Sequence, residues 1–321
     1  MTIFILLITK SSMTLQQLKY IVALDLKRHY TKAAELCFVT QPTLTIQVKK
    51  LEDEIGTVIF DRNTTPLTPT PIGKILIAKA KSTLREANEF KELAYDNTSS
   101  ISGQYTLGII PTIAPNLLPL FLESFLKSNP KIKLVIKEMQ TDFIIDALHN
   151  GTLDIGIVST PLEDKTIREI NLYQEPFLVY CNDKNTFGTS EIVKQDDLTP
   201  DDLLILEEGH CFRNQVLNIC QDNDKNKNKA FLFESGSIQT IKNLVKAGLG
   251  YTLVPQLSVV ENIENKHIKY FENPKPTREI SIVVNKNFAK EKLIENLLFE
   301  IKKNIPRQVK EIDNYIKVRW K

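Results

Sequence analysis

The stretch TQPTLTIQVKKLEDEIGTVIFDR, residues 40–62, decides the reading of the N-terminal third of the chain. Thr40 has the side chain of a helix N-cap. Pro42 falls in the first turn, where its missing N–H costs nothing. Leu44, Val48, Leu51 and Ile55 then recur at helical spacing and predict a buried stripe on a helix over 41–54, with Gly56 just past its end. Thr43, Lys49 and Lys50 lie on the opposite face, flanked by Gln41, Thr45 and Gln47. A face of this kind suits a helix that reads base edges in a major groove: Gln pairs with adenine, and Thr offers a hydroxyl and a methyl.

Working towards the N-terminus, Leu15, Leu18, Ile21, Val22 and Leu24 predict a helix, with a break at 27–30. Thr31 is expected to cap a short second helix ending near Leu36, and 37–39 is a tight turn. Helix, short helix, turn and capped polar-faced helix is the helix-turn-helix layout; on this pattern alone an ordinary small helical bundle fits as well. Working the other way, 58–62 and 67–71 flank a turn at 63–66 and predict a hairpin, the wing, with Arg62 near its tip placed for a phosphate or the minor groove. A long helix over 72–95 follows. Its apolar positions Ile75, Ile77, Ala78, Leu84, Ala87, Phe90 and Leu93 ask for a partner, so self-association is expected.

Beyond a polar stretch at 96–103, strands and helices alternate: strands at 105–110, 133–138 and 154–158, helices at 116–128 and 141–150. Alternation of this kind implies a parallel sheet with right-handed crossovers. A second α/β unit is expected from strands near 177–181, 203–206, 231–233 and 251–254. A strand at 280–284 and a helix at 290–303 are expected to rejoin the first unit, giving two lobes with a cleft. The expected domains are thus an extra tail (1–12), a winged helix-turn-helix (13–71), a linker helix (72–96), a hinge (97–103), lobe 1 (104–175 and 272–305), lobe 2 (176–271) and a charged C-terminal tail (306–321) of no legible role.

The 321 residues exceed one small core, and 42% hydrophobic with 25% charged residues is ordinary for a soluble globular protein. A net charge of +2, and seven Lys/Arg against six Asp/Glu over 13–73, make no global case for nucleic acid, so any electrostatic footprint is local. The apolar run 3–8 is too short to span a bilayer, and Met13 is the expected initiator. Four cysteines, Cys37, Cys181, Cys211 and Cys220, show no zinc spacing, so no metal and no cofactor are expected, and a cytoplasmic chain keeps them reduced. Cys37 and Cys181 read as packed residues, His149 and His267 as surface histidines.

At Ala33-Ala34, Thr40 to Leu44, Leu51-Glu52, Ile55-Gly56, Phe60-Asp61-Arg62 and Pro69-Thr70 the chain resembles the LysR-type transcriptional regulators. The likeness runs over almost the whole chain from Met13. It implies a winged helix-turn-helix, a dimerising linker helix and a two-lobed effector domain like that of periplasmic binding proteins. It also implies binding of double-stranded promoter DNA, contact with RNA polymerase and assembly as a homodimer or homotetramer. The likeness is sharpest to the hydrogen-peroxide-sensing members, at 206–215 (LEEGHCFRNQ) and Cys220, with support from 110–112, 138–141 and Arg278. It implies that Cys211 is oxidised by peroxide and Cys220 resolves it as a disulfide. Thr112, Thr141, His210, Arg213 and Arg278 then surround the thiol. Asn214 and Ala230 depart from residues common in such sensors, Asp and His, which touches proton handling but neither cysteine.

The residues can be read without the resemblance. A reactive thiol needs positive charge or donors to lower its pKa. Cys211 has His210 and Arg213 near in sequence and a helix expected to begin near Phe212, whose N-terminus would favour an anion there. Glu207 and Glu208 oppose it unless they point away. Cys220 closes an apolar stretch and has no such company; two unrelated buried cysteines remain an alternative. Nine residues along one helix turn through about 900° and separate the thiols by ~13.5 Å, beyond the roughly 7 Å a disulfide allows between Cα atoms. Pairing therefore requires the segment to refold, with the polar run 221–229 absorbing the change. Thr112 and Thr141 follow strands at their carboxyl ends, where ligands bind in open α/β sheets; helix capping is the alternative for Thr141. Three other functions remain open: a regulator with a small effector in the cleft, a thiol peroxidase, and a solute-binding module.

Overall fold

The computed structural model describes residues 13–95, 101–182, 187, 190–198, 202–220, 236–262, 267–310 and 313–319. The chain forms two compact units that part near residue 100. In the first, helix α1 (Leu15–Lys27) starts at Thr14, whose side chain accepts from the Gln17 N–H while the Gln17 side-chain Oε1 accepts from the Thr14 N–H. Helix α2 (Tyr30–Leu36) has His29 as its N-cap, so Thr31 lies inside the first turn and does not cap. Helix α3 (Gln41–Ile55) has Thr40 as its N-cap, accepting from the Thr43 N–H at 3.4 Å, and closes on Gly56 at φ 64°. Leu44, Val48 and Leu51 are buried as the spacing predicts, but Ile55 reaches the surface because the helix ends there.

Strands β1 (Phe60–Asp61) and β2 (Thr68–Pro69) pair antiparallel over two residues each, shorter than the expected hairpin. Pro66, Pro69 and Pro71 withhold N–H donors on the returning arm, so the ladder cannot extend. Gly73 packs where any Cβ would stand 2.0 Å from the Ile59 carbonyl oxygen, which fixes the start of helix α4 (Pro71–Tyr95) against the wing. Ile77 and Ala80 of α4 join the core of this unit; Ile72, Ile75 and Phe90 stay exposed.

The second unit is built on strands β3 (Gly103–Ile109), β4 (Ile132–Glu138), β5 (Ile155–Thr160), β6 (Ile167–Cys181), β7 (Ile192–Val193), β8 (Tyr251–Pro255), β9 (Ile268–Phe271), β10 (Lys275–Asn285) and β11 (Tyr315–Lys317). Helices α5 (Ala114–Ser128), α6 (Thr141–His149), α7 (Cys211–Ile219), α8 (Ile238–Lys246), α9 (Glu291–Asn304) and α10 (Arg307–Lys310) connect or cover them. The order is β4-β3-β5-β10-β6-β9-β7, with β8 on β6 and β11 on β10. Only part of the sheet is parallel, contrary to the expectation. β4, β3 and β5 pair parallel through helical crossovers, while β10 runs antiparallel to both β5 and β6 because the chain returns from the far end.

Two cores form, one around β3, β5, α5, α6 and α9, the other around the end of β6, β8, α7 and α8. Strand β6 feeds both. Residues 203–206 are not a strand: they are a buried coil held by one bridge, Leu203 to Tyr251, and by Leu204 N–H to the Tyr251 carbonyl. The expected strand at 231–233, the run 221–229, Ala230 and most of the expected hinge lie outside the described residues, as do residues 1–12; Gly103 opens β3. No helix among the described residues is long and apolar enough to cross a membrane.

Candidate functional site

Gly209 makes the turn that delivers Cys211. At φ 88° it occupies the left-handed region, and a Cβ there would fall 2.6 Å from Oε1 of Gln140. His210, buried, becomes the N-cap residue and Cys211 the first residue of α7. The turn thereby lays Cys211 against Thr141, at the start of α6. Cys211 packs with the first core, whereas Phe212, Val216, Ile219 and Cys220 of the same segment pack in the second. Cys220 is the C-cap, buried, its N–H on the Val216 carbonyl. Neither cysteine is in a disulfide, and a straight nine-residue helix keeps their Cα atoms ~13.5 Å apart.

Arg278 is the charge at this site, and it is 1% exposed. Its Nε donates to Oε2 of Glu175 at 2.9 Å, and its Nη2 stands 2.7 Å from the same oxygen. Nη1 donates to Oγ1 of Thr112 at 2.9 Å and Nη2 to the Thr112 carbonyl at 3.3 Å. The guanidinium lies 5.3 Å from the centre of the Phe212 ring. Glu175 faces Arg278 directly across the β6–β10 ladder, and its other oxygen accepts from the Leu257 N–H at 3.0 Å. Each ion here has its partners, as burial demands. Nothing in the sequence alone singled out Glu175; its one signal is a carboxylate at the edge of the apolar run 177–181.

Burial pushes the Cys211 thiol above the ordinary range, against a hydrogen bond from Thr141, the positive charge of Arg278 and the Phe212 N–H, which pull it down. Desolvation outweighs the donors, and the neighbours that count come from other elements. Arg213 turns away, its Nη1 donating to the Leu206 carbonyl at 2.9 Å, and so braces the loop before α7. His210 Nε2 lies 3.6 Å from Glu207 Oε1 at the entrance. The Thr141 hydroxyl is buried without a nitrogen or oxygen partner, so it does not cap α6. The fold thus brings Cys211, Thr112, Thr141 and Arg278 together, sets His210 and Arg213 on the supporting turn, and places Cys220 at the far end of α7.

Among the histidines, His149 is a surface residue beside Thr166 and Asp164, but His267 is half-buried, with Nδ1 3.0 Å from the Cys181 carbonyl oxygen. In the first unit, Thr40, Gln41, Pro42, Thr43, Lys49 and Lys50 are exposed on α3, with Thr45 and Gln47 half-buried. Gln41 Nε2 donates to Thr45 Oγ1 at 2.9 Å, and Gln47 Oε1 accepts from Gln17 at 3.3 Å. Ile46, an apolar residue 64% exposed on this helix, was invisible to the stripe argument. Arg62 is engaged, Nη2 on Glu52 Oε2 at 2.7 Å, while Glu52 Oε1 accepts from the Ile59 and Phe60 N–H groups. It anchors the wing to α3.

Residues 15–74 match the bacterial regulatory helix-turn-helix protein, lysR family, and 98–304 match the LysR substrate binding domain. The chain belongs to the LysR family. Its LysR relatives include the DNA-binding transcriptional dual regulator OxyR of Escherichia coli K12, 34% identical over 84% of this chain and 89% of the relative. A hydrogen peroxide-inducible genes activator of Pectobacterium carotovorum is also 34% identical, over 84% of this chain and 90% of the relative. Among solved LysR structures, a cysteine-to-aspartate form of full-length OxyR from Pseudomonas aeruginosa superposes with a TM-score of 0.77 at 32% identity, covering 91% of this chain and 99% of that one. A peroxide-bound variant of OxyR from Corynebacterium glutamicum gives 0.59 at 29% identity over 92% and 93%.

Proposed function

We propose that this LysR-type regulator senses hydrogen peroxide through Cys211 and Cys220 and controls oxidative-stress genes. The observation that carries the reading is the cluster around Cys211. A buried thiol meets the Thr141 hydroxyl, which has no nitrogen or oxygen partner, and the charge of a guanidinium already holding Thr112, and a second buried thiol ends the same helix. The Cys211 thiol gives up its proton as its sulfur attacks one peroxide oxygen, the O–O bond breaks, and the departing hydroxide takes up that proton to leave as water, giving Cys211 sulfenic acid. The Thr141 and Thr112 hydroxyls and Arg278 are the groups placed to hold peroxide and its leaving oxygen. The Cys220 thiolate then attacks the sulfenic sulfur and expels a second hydroxide as water, forming the disulfide. Each peroxide is consumed once per disulfide, which is signalling and not turnover.

The disulfide cannot span an intact α7, so its formation unwinds the helix. The same reading takes promoter DNA as the ligand of α3, through Thr40, Gln41, Pro42, Thr43, Thr45, Gln47, Lys49 and Lys50, with Thr31 contributing from the first turn of α2 and Arg62 positioning the wing. It takes the exposed apolar residues of α4 as a self-association surface in a homodimer or homotetramer, and RNA polymerase as the family's partner in the cytoplasm. The test is thiol-blocking mass spectrometry on reduced protein, before and after about one equivalent of peroxide. A linked Cys211–Cys220 peptide, lost in Cys211→Ser, is the expected result; two thiols that react slowly and independently overturn it. A second reading has one observation in its favour, a cleft of 200 Å³ between Thr112 and Glu138 on one side and Ser237 and Lys242 on the other. An effector bound there with an affinity indifferent to Cys211→Ser supports it.

A further inference from the structure

Strand β5 ends at Thr160, but its neighbour β10 begins earlier on the ladder, at Lys275, so one side of Lys275–Thr277 is left open. Strand β11 fills that place in parallel register, pairing Lys275 with Tyr315 and Thr277 with Lys317. The Lys275 N–H donates to the Asn314 carbonyl at 3.1 Å, the Val318 N–H to the Thr277 carbonyl at 2.8 Å, and Lys317 pairs with Glu279. The chain then reaches α7. The Val318 carbonyl accepts from Gln215 Nε2 at 3.0 Å, and the Arg319 carbonyl from Asn218 Nδ2 at 2.8 Å. Gln215 and Asn218 are three residues apart, so they share one edge of the helix. Gln215 is wholly buried, and its Nε2 also lies 3.2 Å from Ser159 Oγ on β5.

We propose that the C-terminal strand is a strap that holds α7 in its helical, reduced form, with Gln215 as the positioning residue that couples the two. The contacts suit a release. Tyr315, Ile316 and Lys317 are all exposed, and among the described residues of the strap, 313–319, only Val318 packs on the second core. Hydrogen bonds and an ion pair hold these residues. Both side chains that grip it lie between Cys211 and Cys220, and the grip needs them one helical turn apart. Unwinding α7 dissolves that spacing and frees the strap. By linkage, whatever binds only the helical form stabilises that form, so the strap raises the oxidant level at which the segment switches. The consequence for oxidation rests on the peroxide reading above; the clamp on α7 does not.

Two measurements on the full-length protein and on a deletion of residues 313–321 test this. In fully reduced protein, amide hydrogen exchange over 212–220 is expected to quicken on the order of tenfold in the deletion, the scale of two lost hydrogen bonds. Gln215→Leu, which keeps bulk but no donor, is expected to do the same and to expose the 313–319 amides. At equilibrium with a dithiol–disulfide buffer, the ratio of Cys211–Cys220 disulfide to dithiol is expected to rise about tenfold in the deletion. Exchange over α7 that is unchanged in the deletion overturns the strap, whatever the thiols do, and so does a disulfide ratio that falls. If exchange quickens but the full-length chain forms no Cys211–Cys220 bond, the redox reading fails and the strap stands as a clamp on α7.

Discussion

Burial raises the Cys211 thiol in the interior, and two donors and the Arg278 charge offset part of what burial costs its anion. Two consequences follow at this scale. The alkylation rate of Cys211 should rise with pH through a midpoint above the ordinary thiol range, and Thr141→Val should move it higher still by removing a donor. A Thr141→Val midpoint that stays put or falls would count against the pairing. Because the folded pKa exceeds the unfolded one, the thiol's contribution to stability is complete below about pH 8.5 and is lost as pH climbs through the folded value. Arg278→Met leaves Glu175 buried and uncompensated, and thermal or urea unfolding should show a loss of about 3–5 kcal/mol. The cysteines, Thr112, Thr141 and Arg278 were visible in the sequence as a motif and a family likeness. The sign of the pKa shift was not. It depends first on solvent access, set against Thr141 and Arg278 about seventy residues away on either side, and none of these is local in sequence.

At the scale of elements, helices were the legible part. Their caps and stripes are local: Thr40, Pro42 and Gly56 bound α3 as the sequence suggests. The miss at Thr31 has a local cause too, since His29 takes the extended backbone of a cap without using its side chain. The buried run 203–206 misled because an unbroken apolar run says inside without saying strand. Capping gives a direct test. Thr40→Ala should destabilise the first unit by about 1 kcal/mol and weaken operator binding with it, measured by thermal melting and by DNA titration at fixed salt. Lys49 and Lys50 are exposed on the same helix, so Lys49→Ala with Lys50→Ala should flatten the salt dependence of binding by up to about two phosphate contacts.

For the whole molecule, alternation of strands and helices correctly announced an α/β architecture, but direction was lost where the chain returns. No local pattern tells a strand that its neighbour will come from residues 275–285 and run the other way. The consequence for signalling is testable on an operator. If refolding of α7 re-spaces the DNA-reading helices, reduced and oxidised protein should give footprints of different length or spacing, and identical footprints would remove that link. Strand β6 supplies the last idea. It runs fifteen residues, laddered to β10 for its first part, with one register shift between Asn171 and Tyr173, and to β8 and β9 for its last, and the Glu175–Arg278 pair crosses the ladder near the changeover. A single ribbon shared in this way leaves neither core independent of the other: a shift at α7 that disturbs the pairing of 177–181 is passed along the same backbone to the strand's first part, which packs in the other core.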